Sequence, residues 1–221
     1  MSSLVIQDSI RYYVYSDFVK IGYDEYNYSG EPTAALSRTA ISGHLIIEKY
    51  FNGLPITNLS QDGFYRCILL TRLTIKADIK VIPAGCFADC YSLAHIDIPP
   101  SIETIEERGL MFWNVTGATI DDSLYFSNST STVIFQRGSK LNYIGPEIFG
   151  YIEKVILIFE TPVVCELSSS VLIGTKEILI YSIYPMSFGN YPVLYRHCSC
   201  ECLPYSKAFN AMYLGLIVLF S

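Results

Sequence analysis

The sequence predicts a β-rich solenoid, a coil of short stacked repeats. Three observations predict it: an internal repeat of 23 residues, period-two alternation within each repeat, and a spacing of three in the segment before it. Ile56, Ile79 and Ile102 lie 23 apart, as do Leu59, Ile82 and Ile105, and Phe64, Phe87 and Leu110. Cys67 and Cys90, Leu70 and Leu93, Leu73 and Ile96, and Ile75 and Ile98 keep the same interval. No unit of this size can bury its apolar side alone, so stacked neighbours must complete the core.

Each element of the unit follows from its spacing. Leu73-Thr-Ile75 and Ile96-Asp-Ile98 alternate as strands with one buried face. Phe64, Cys67 and Leu70 recur at three, which predicts a short helical or 3-10 turn with one apolar side. Ile79-x-x-Ile82 supplies the return leg, and the Pro99-Pro100 pair falls where a strand must end. In the third unit Trp113 and Thr116 fill the Cys and Leu columns, and Ala118 with Ile120 makes the strand pair after a one-residue deletion. A fourth unit runs through Leu141, Ile144, Phe149, Ile152, Val155 and Ile158, and a fifth through Val164, Leu172, Ile178 and Ile180. Cys67 and Cys90 belong to the repeat and are expected as buried small hydrophobes, not reactive groups.

Composition excludes several function classes. Of 221 residues, 51% are apolar and only 16% charged, which rules out intrinsic disorder. A net charge of −6 without a basic stretch argues against a nucleic-acid surface. Seven cysteines, an odd number without regular spacing, do not form a secreted disulfide framework. No stretch reaches the ~20 apolar residues of a transmembrane helix. The nearest approach, Ala211 to Phe220, reads as a last strand or helix packed on the core, with a truncated membrane anchor or an exposed end as alternatives. The start, Met1 to Asp8, has no signal-peptide pattern.

The repeat pattern, clearest from Ile82-Pro through Phe87, Cys90, Leu93, Ile96, Ile98-Pro-Pro and Ile102 to Ile105, resembles the BspA-type leucine-rich repeat. Leu45 to Ile47 followed by Asn52-Gly53 and Ile56 is similar to that family's lead-in hairpin. Leu124 to Phe135 resembles the hairpin that often interrupts its repeats, and the repeat resumes near Gly138. The resemblance spans roughly residues 44–160 and, faintly, 161–185. It implies a surface or secreted protein that adheres to host or microbial proteins, whereas the missing signal peptide points to the cytoplasm.

Catalytic motifs are absent: there is no Gly-x-Gly-x-x-Gly, Walker A, His-Glu-x-x-His or Gly-x-Ser-x-Gly. His95 and Asp97 share one strand face but have no nucleophile in sequence reach, so they read as a solvated polar face. His197 with Cys198, Cys200 and Cys202 is the densest chemical cluster, yet it lacks the two-residue gaps of zinc knuckles. Tyr12, Tyr13, Tyr15, Tyr23, Tyr26 and Tyr28 crowd the acidic first segment, which is expected to cap the first coil.

The expected architecture is therefore a leucine-rich-repeat solenoid of α/β-type repeats. Parallel strands line a concave face, short helical or 3-10 turns lie opposite, and a β-hairpin insert occupies about 122–136. Residues 1–43 form the N-terminal cap, 44–185 the solenoid and 186–221 a C-terminal extension. The expected function is protein binding or adhesion, with no catalytic residue, cofactor or metal. The alternatives are a metal-dependent enzyme or regulator built on His197 to Cys202, or an intracellular scaffold. The expected binding surface is three outward columns: Arg72, His95 and Gly117; Thr74, Asp97 and Thr119; and Lys76, Pro99 and Asp121. Arg72 and Asp97 are both expected to be exposed there.

Overall fold

The computed structural model describes residues 2–22, 31–110, 119–120, 123–124, 130–149, 154–161, 163, 166–171, 175, 177–182, 186–188, 190 and 192–195. Strands β1 (Ser3–Gln7) and β2 (Ile10–Val14) form an antiparallel hairpin, and β3 (Val19–Ile21) folds back on β2. Asp8 and Ser9 at its tip have φ of 50° and 65°, the left-handed pair that a two-residue hairpin turn requires. β4 (Ser42–Ile47) then opens a second sheet. β5 (Tyr50–Phe51) and β6 (Leu54–Leu59) form a hairpin across Asn52-Gly53, and β6 joins β3 in parallel. Leu45 to Ile47 is thus not an arm of that hairpin, as the sequence had suggested; it pairs in parallel with the next coil.

From here strands alternate between two sides of the coil. The front receives β7 (Leu69–Ile75) and β9 (His95–Ile98), and the back receives β8 (Val81–Ile82) and β10 (Thr104–Ile105). A separate hairpin pairs β11 (Thr119–Ile120) with β12 (Ser123–Leu124). The coil resumes with β13 (Thr130–Phe135) in front and β14 (Tyr143–Ile144) behind. β15 (Lys154–Phe159), β16 (Glu166–Leu167), β17 (Glu177–Ser182) and β18 (Leu194–Tyr195) complete it. The front sheet has the order β18-β17-β15-β13-β9-β7-β4 and every pairing is parallel. The back sheet is β16-β14-β10-β8, also parallel.

The core lies between the two sheets. Leu45, Leu73, Ile96, Val133, Leu157 and Ile180 pair in one row across the front sheet, each at most 6% exposed. The repeat columns Ile56, Leu59, Phe64, Cys67, Leu70, Leu73, Ile75, Ile79, Ile82, Phe87, Cys90, Leu93, Ile96, Ile98, Ile102, Ile105 and Leu110 are at most 5% exposed, and so are Leu141, Ile144 and Phe149. Phe135 and Phe159, in the second inward row, stack with centroids 4.5 Å apart.

Three expectations need correction. First, the Phe-x-x-Cys segments are not helical, and the described residues contain no helix. The amides of Asp62, Phe64 and Arg66 donate to Ala84, Cys86 and Ala88 in the next coil, at 2.7–3.1 Å. Only the alternate amides, of Gly63, Tyr65 and Cys67, donate three residues back. A 3-10 ladder needs them all, so stacking wins over local helix. Positive φ at Asp62, Gly85, Arg108 and Glu147 (52–63°) recurs at the same place in each coil and breaks any right-handed run. At Gly85 a Cβ would run into the Asp62 carboxylate, so the space there calls for glycine, while the other coils hold nearly the same φ with Asp, Arg and Glu.

Second, the strand of the third coil is β13, not the pair Ala118 and Ile120. Ile120 lies in the two-stranded hairpin, Ala118 lies outside the described residues, and β13 pairs with β9 and β15. The interruption therefore falls between Leu110 and Thr130, upstream of the expected 122–136. Thr130 to Phe135 alternates over six residues and buries Val133 and Phe135 completely, which a two-residue strand cannot match. Third, β15 sits one residue out of the expected register. Val155, Leu157 and Phe159 face the core, while Ile158 falls on the outer side with Ile134 and Tyr181. Ile152 lies outside the described residues.

Candidate binding face on the outer side of the front sheet

Because strand side chains alternate, every inward row leaves an outward row beside it. One outward row is His44, Arg72, His95, Thr132, Ile156 and Leu179; the other is Ile46, Thr74, Asp97, Ile134, Ile158 and Tyr181. Polar side chains gather where β4, β7 and β9 run side by side.

Asp97 is the centre of that group. Its Oδ2 accepts from Arg72 Nη2 at 3.1 Å and from Thr74 Oγ1 at 3.0 Å, and its Oδ1 accepts from His95 Nε2 at 3.2 Å. His44 Nε2 lies 2.9 Å from Thr74 Oγ1. A carboxylate only accepts, so His95 carries its proton on Nε2. Thr74 gives its hydroxyl proton to Asp97, so His44 must donate to Thr74. Five side chains from three strands are thereby locked in one hydrogen-bonded network. Burial alone would raise the Asp97 pKa, but the bonds from His95, Arg72 and Thr74 outweigh it and hold the carboxyl down at about 2. The group is a fixed pattern of charge. Thr74 has committed its proton to a carboxylate and is not an activated nucleophile.

Arg72 and Asp97 are not two independent exposed charges, as the sequence had suggested. The Arg72 side chain is 49% exposed, that of Asp97 only 14%, and they form an ion pair. Lys76, at the strand end, pairs with Glu48 at 2.8 Å. Thr119 is not on this face, since β11 belongs to the separate hairpin; Gly117 and Asp121 lie outside the described residues. The places expected for Gly117 and Thr119 are taken by Thr132 and Ile134.

Sequence reasoning missed His44 and Ile46 because β4 precedes the first clear repeat. It also missed a cleft of about 1020 Å³ between the β5–β6 hairpin and the ends of the front strands. Tyr50, Lys49, Asp78, Pro99 and Lys140 line it, and Tyr50 is 64% exposed. The signals were present, in Asn52-Gly53 and Pro99-Pro100, but nothing in the sequence places the two together.

The remaining candidates divide simply. Tyr12 stacks on Phe51 at 3.9 Å, tying the first segment to the coil, while Tyr23, Tyr26 and Tyr28 lie outside the described residues. So do His197, Cys198, Cys200 and Cys202. Among the described residues, no group of three or more His, Cys, Asp or Glu could hold a metal ion, and no helix is long and apolar enough to cross a membrane.

Comparison with known proteins agrees with this geometry. Residues 49–129 match the family model described as the BspA type Leucine rich repeat region, in six copies. No curated protein matches significantly. Among solved structures, the crystal structure of a T. pallidum leucine rich repeat protein (TpLRR) is similar, with a TM-score of 0.52 and 16% identity. The alignment covers 81% of this chain and 71% of that one. At that identity the likeness is one of fold. The family match ends just before β13, yet the same parallel register continues through β15 and β17. Residues 49–129 thus carry the BspA-type leucine-rich-repeat pattern, and the chain shares its fold with a leucine rich repeat protein.

Proposed function

We propose that this protein is a non-enzymatic binding module that holds a protein partner on the outer face of its front sheet. The observation that supports the reading is the Arg72–Thr74–His95–Asp97 network. Two adjacent strands, β7 and β9, fix its donors and acceptors in advance, so a partner pays little to order them. The neighbouring cleft, with Tyr50 at its rim and Lys49 and Lys140 on its walls, extends the same surface. Adhesion is one use of such a surface, and the family resemblance favours it.

The test separates Arg72 from Asp97. Reversing both charges would only exchange the ends of one ion pair, so single substitutions are more informative. Arg72→Ala removes a half-exposed charge and leaves the core untouched. A partner captured on immobilised protein and confirmed by titration should bind Arg72→Ala or Tyr50→Ala at least about tenfold more weakly, about 1.4 kcal/mol. Unchanged affinity for both variants would remove this face from the reading.

A further inference from the structure

A sheet that ends in an open strand invites pairing, and proteins blunt such edges by making them short, bulged or charged. Among the described residues the sheet edges follow that rule with one exception. β5, β8, β16 and β18 are each two residues long, and so are both strands of the β11–β12 hairpin. β4 is longer, but its register breaks between Gly43 and His44. β1 has none of these features. It is the outer strand of its sheet, and Ser3-Leu-Val-Ile-Gln7 carries no charge, no proline and no bulge. Leu4 and Ile6 are 43% and 54% exposed, on the side away from Val5, which packs against the core. The backbone of the same two residues also faces outward. The Arg11 amide donates to the Ala34 carbonyl, and the Arg11 carbonyl accepts from the Gly22 amide. Arg11 thus turns its main chain away from Ile6, the residue it pairs with. In an antiparallel ladder such unbonded pairs come at every second position. The N–H and C=O groups of Leu4 and Ile6 therefore point to the open edge.

We propose that β1 pairs antiparallel with β1 of a second copy, across a two-fold axis at Val5. This register sets Leu4 opposite Ile6 of the second copy, and each such pair exchanges both of its open backbone bonds. It also brings the exposed leucines and isoleucines of both copies into one apolar cluster. A slip by one residue would turn the open backbone groups toward groups that β2 already uses. A slip by two would set one apolar side chain against Ser2 or Asp8 instead. Charge does not oppose the pairing. The Asp8 side chains of the two copies stand roughly six residues apart along the strands, about 20 Å, beyond the ~10 Å screening length of 0.1 M salt. The contact is small, because a strand of five residues covers less than the ~800 Å² per partner of a standard complex. The monomer therefore prevails at low micromolar concentration, with a dissociation constant of about 100 µM. A dimer joined there presents two Asp97 faces and gains avidity; that consequence rests on the proposed function, and the pairing itself does not.

Sedimentation equilibrium of the full-length chain, from about 5 µM to about 500 µM, spans that constant. The average mass should rise from that of one chain toward that of two. Ile6→Lys puts a charge into the apolar cluster, and Ile6→Pro removes an N–H that β2 does not use. Each should weaken association at least about tenfold. Val81→Lys changes an apolar side chain, 37% exposed, on the β8 edge and should dimerise as the unaltered chain does. Val5→Cys reads the register. Unbonded pairs have Cα atoms about 4.5 Å apart, within disulfide reach. Oxidised glutathione should therefore link two chains through residue 5, identified by peptide mass spectrometry. Cys67, Cys86 and Cys90 are fully buried and stay out of the reaction. A mass that remains that of one chain throughout overturns the proposal, as does undiminished association of Ile6→Lys. A dimer that Val81→Lys abolishes, or one in which residue 5 does not cross-link, lies on another surface and overturns it too. None of these variants alters the Asp97 network, so partner capture at low concentration is scored separately.

Discussion

Phe87 shows what one side chain contributes in a stacked array. It is fully buried, and its ring lies 5.2 Å from that of Phe64, within 2° of parallel. Phe87→Ala would leave a cavity between coils that cannot slide together, because their backbones are bonded to one another at Phe64 and Gly109. A loss of about 3–5 kcal/mol is expected in urea unfolding, against less than about 0.5 kcal/mol for Lys49→Ala on the surface. Asp97 gives a second test at this scale. Its folded pKa of about 2 lies below the ordinary 3.8, so its contribution to stability is complete above about pH 4 and is lost as the pH falls toward 2. Solvent screens part of the network, so the loss should be about 1 kcal/mol, less than the shift alone converts to. Asp97→Asn should remove that acid step from a stability–pH profile measured between pH 5 and 2. Burial pushes the Cys67 thiol up to about 12 and raises Cys86 and Cys90 as well, so all three should resist alkylation at neutral pH until the coil unfolds.

At the scale of elements, the physics that made some strands legible also explains why others were not. Leu73, Ile75, Ile96 and Ile98 could be placed because burial repeats every 23 residues and every second strand position. That regularity fails where the chain leaves the coil. Ile96 and Val133 are paired yet 37 residues apart, so sliding the sequence by 23, less a one-residue deletion, lands on Ala118 and Ile120 instead. The turns were misread for another reason. A spacing of three is shared by a 3-10 turn and by these alternating bonds, and only the position of the next coil decides between them. The network of His44, Arg72, Thr74, His95 and Asp97 was half legible: its columns followed from the repeat, but its β4 member and its internal ion pair needed the stacking order. Val133 tests the corrected order. Val133→Asp places a carboxylate at a fully buried position of β13 and should cost more than about 4 kcal/mol. Thr119→Asp, in the separate hairpin, should leave the main unfolding transition in place. The opposite pattern would return the third strand to residues 118–120.

For the whole molecule, the question is how an open coil ends. Parallel stacking leaves an unpaired edge and an uncovered core at each terminus, and both invite association. At the N-terminal side, β3 pairs in parallel with β6, and β2 and β1 continue that sheet antiparallel. The Ile21 carbonyl accepts both the Ser60 amide and the Ser60 hydroxyl, each at 2.9 Å. Ile10, Val19, Ile21, Ala34 and Ala35 share one core cluster with Ile56, Leu59 and Phe64. The first segment therefore has the three parts of a cap: it pairs the edge, satisfies the backbone and covers the first layer of core. Removing residues 1–41 would leave β4 intact but strip β6 of its partner and bare that layer. The shortened chain should aggregate, or elute as heterogeneous oligomers, where the full chain gives one species in light scattering. Restoring the segment as a separate peptide should not rescue it at micromolar concentration, since the ordering of some forty residues then competes with binding. A monodisperse monomer of residues 42–221 with one cooperative transition would mean instead that β4 and β6 close the array themselves, and that the first sheet is an appendage.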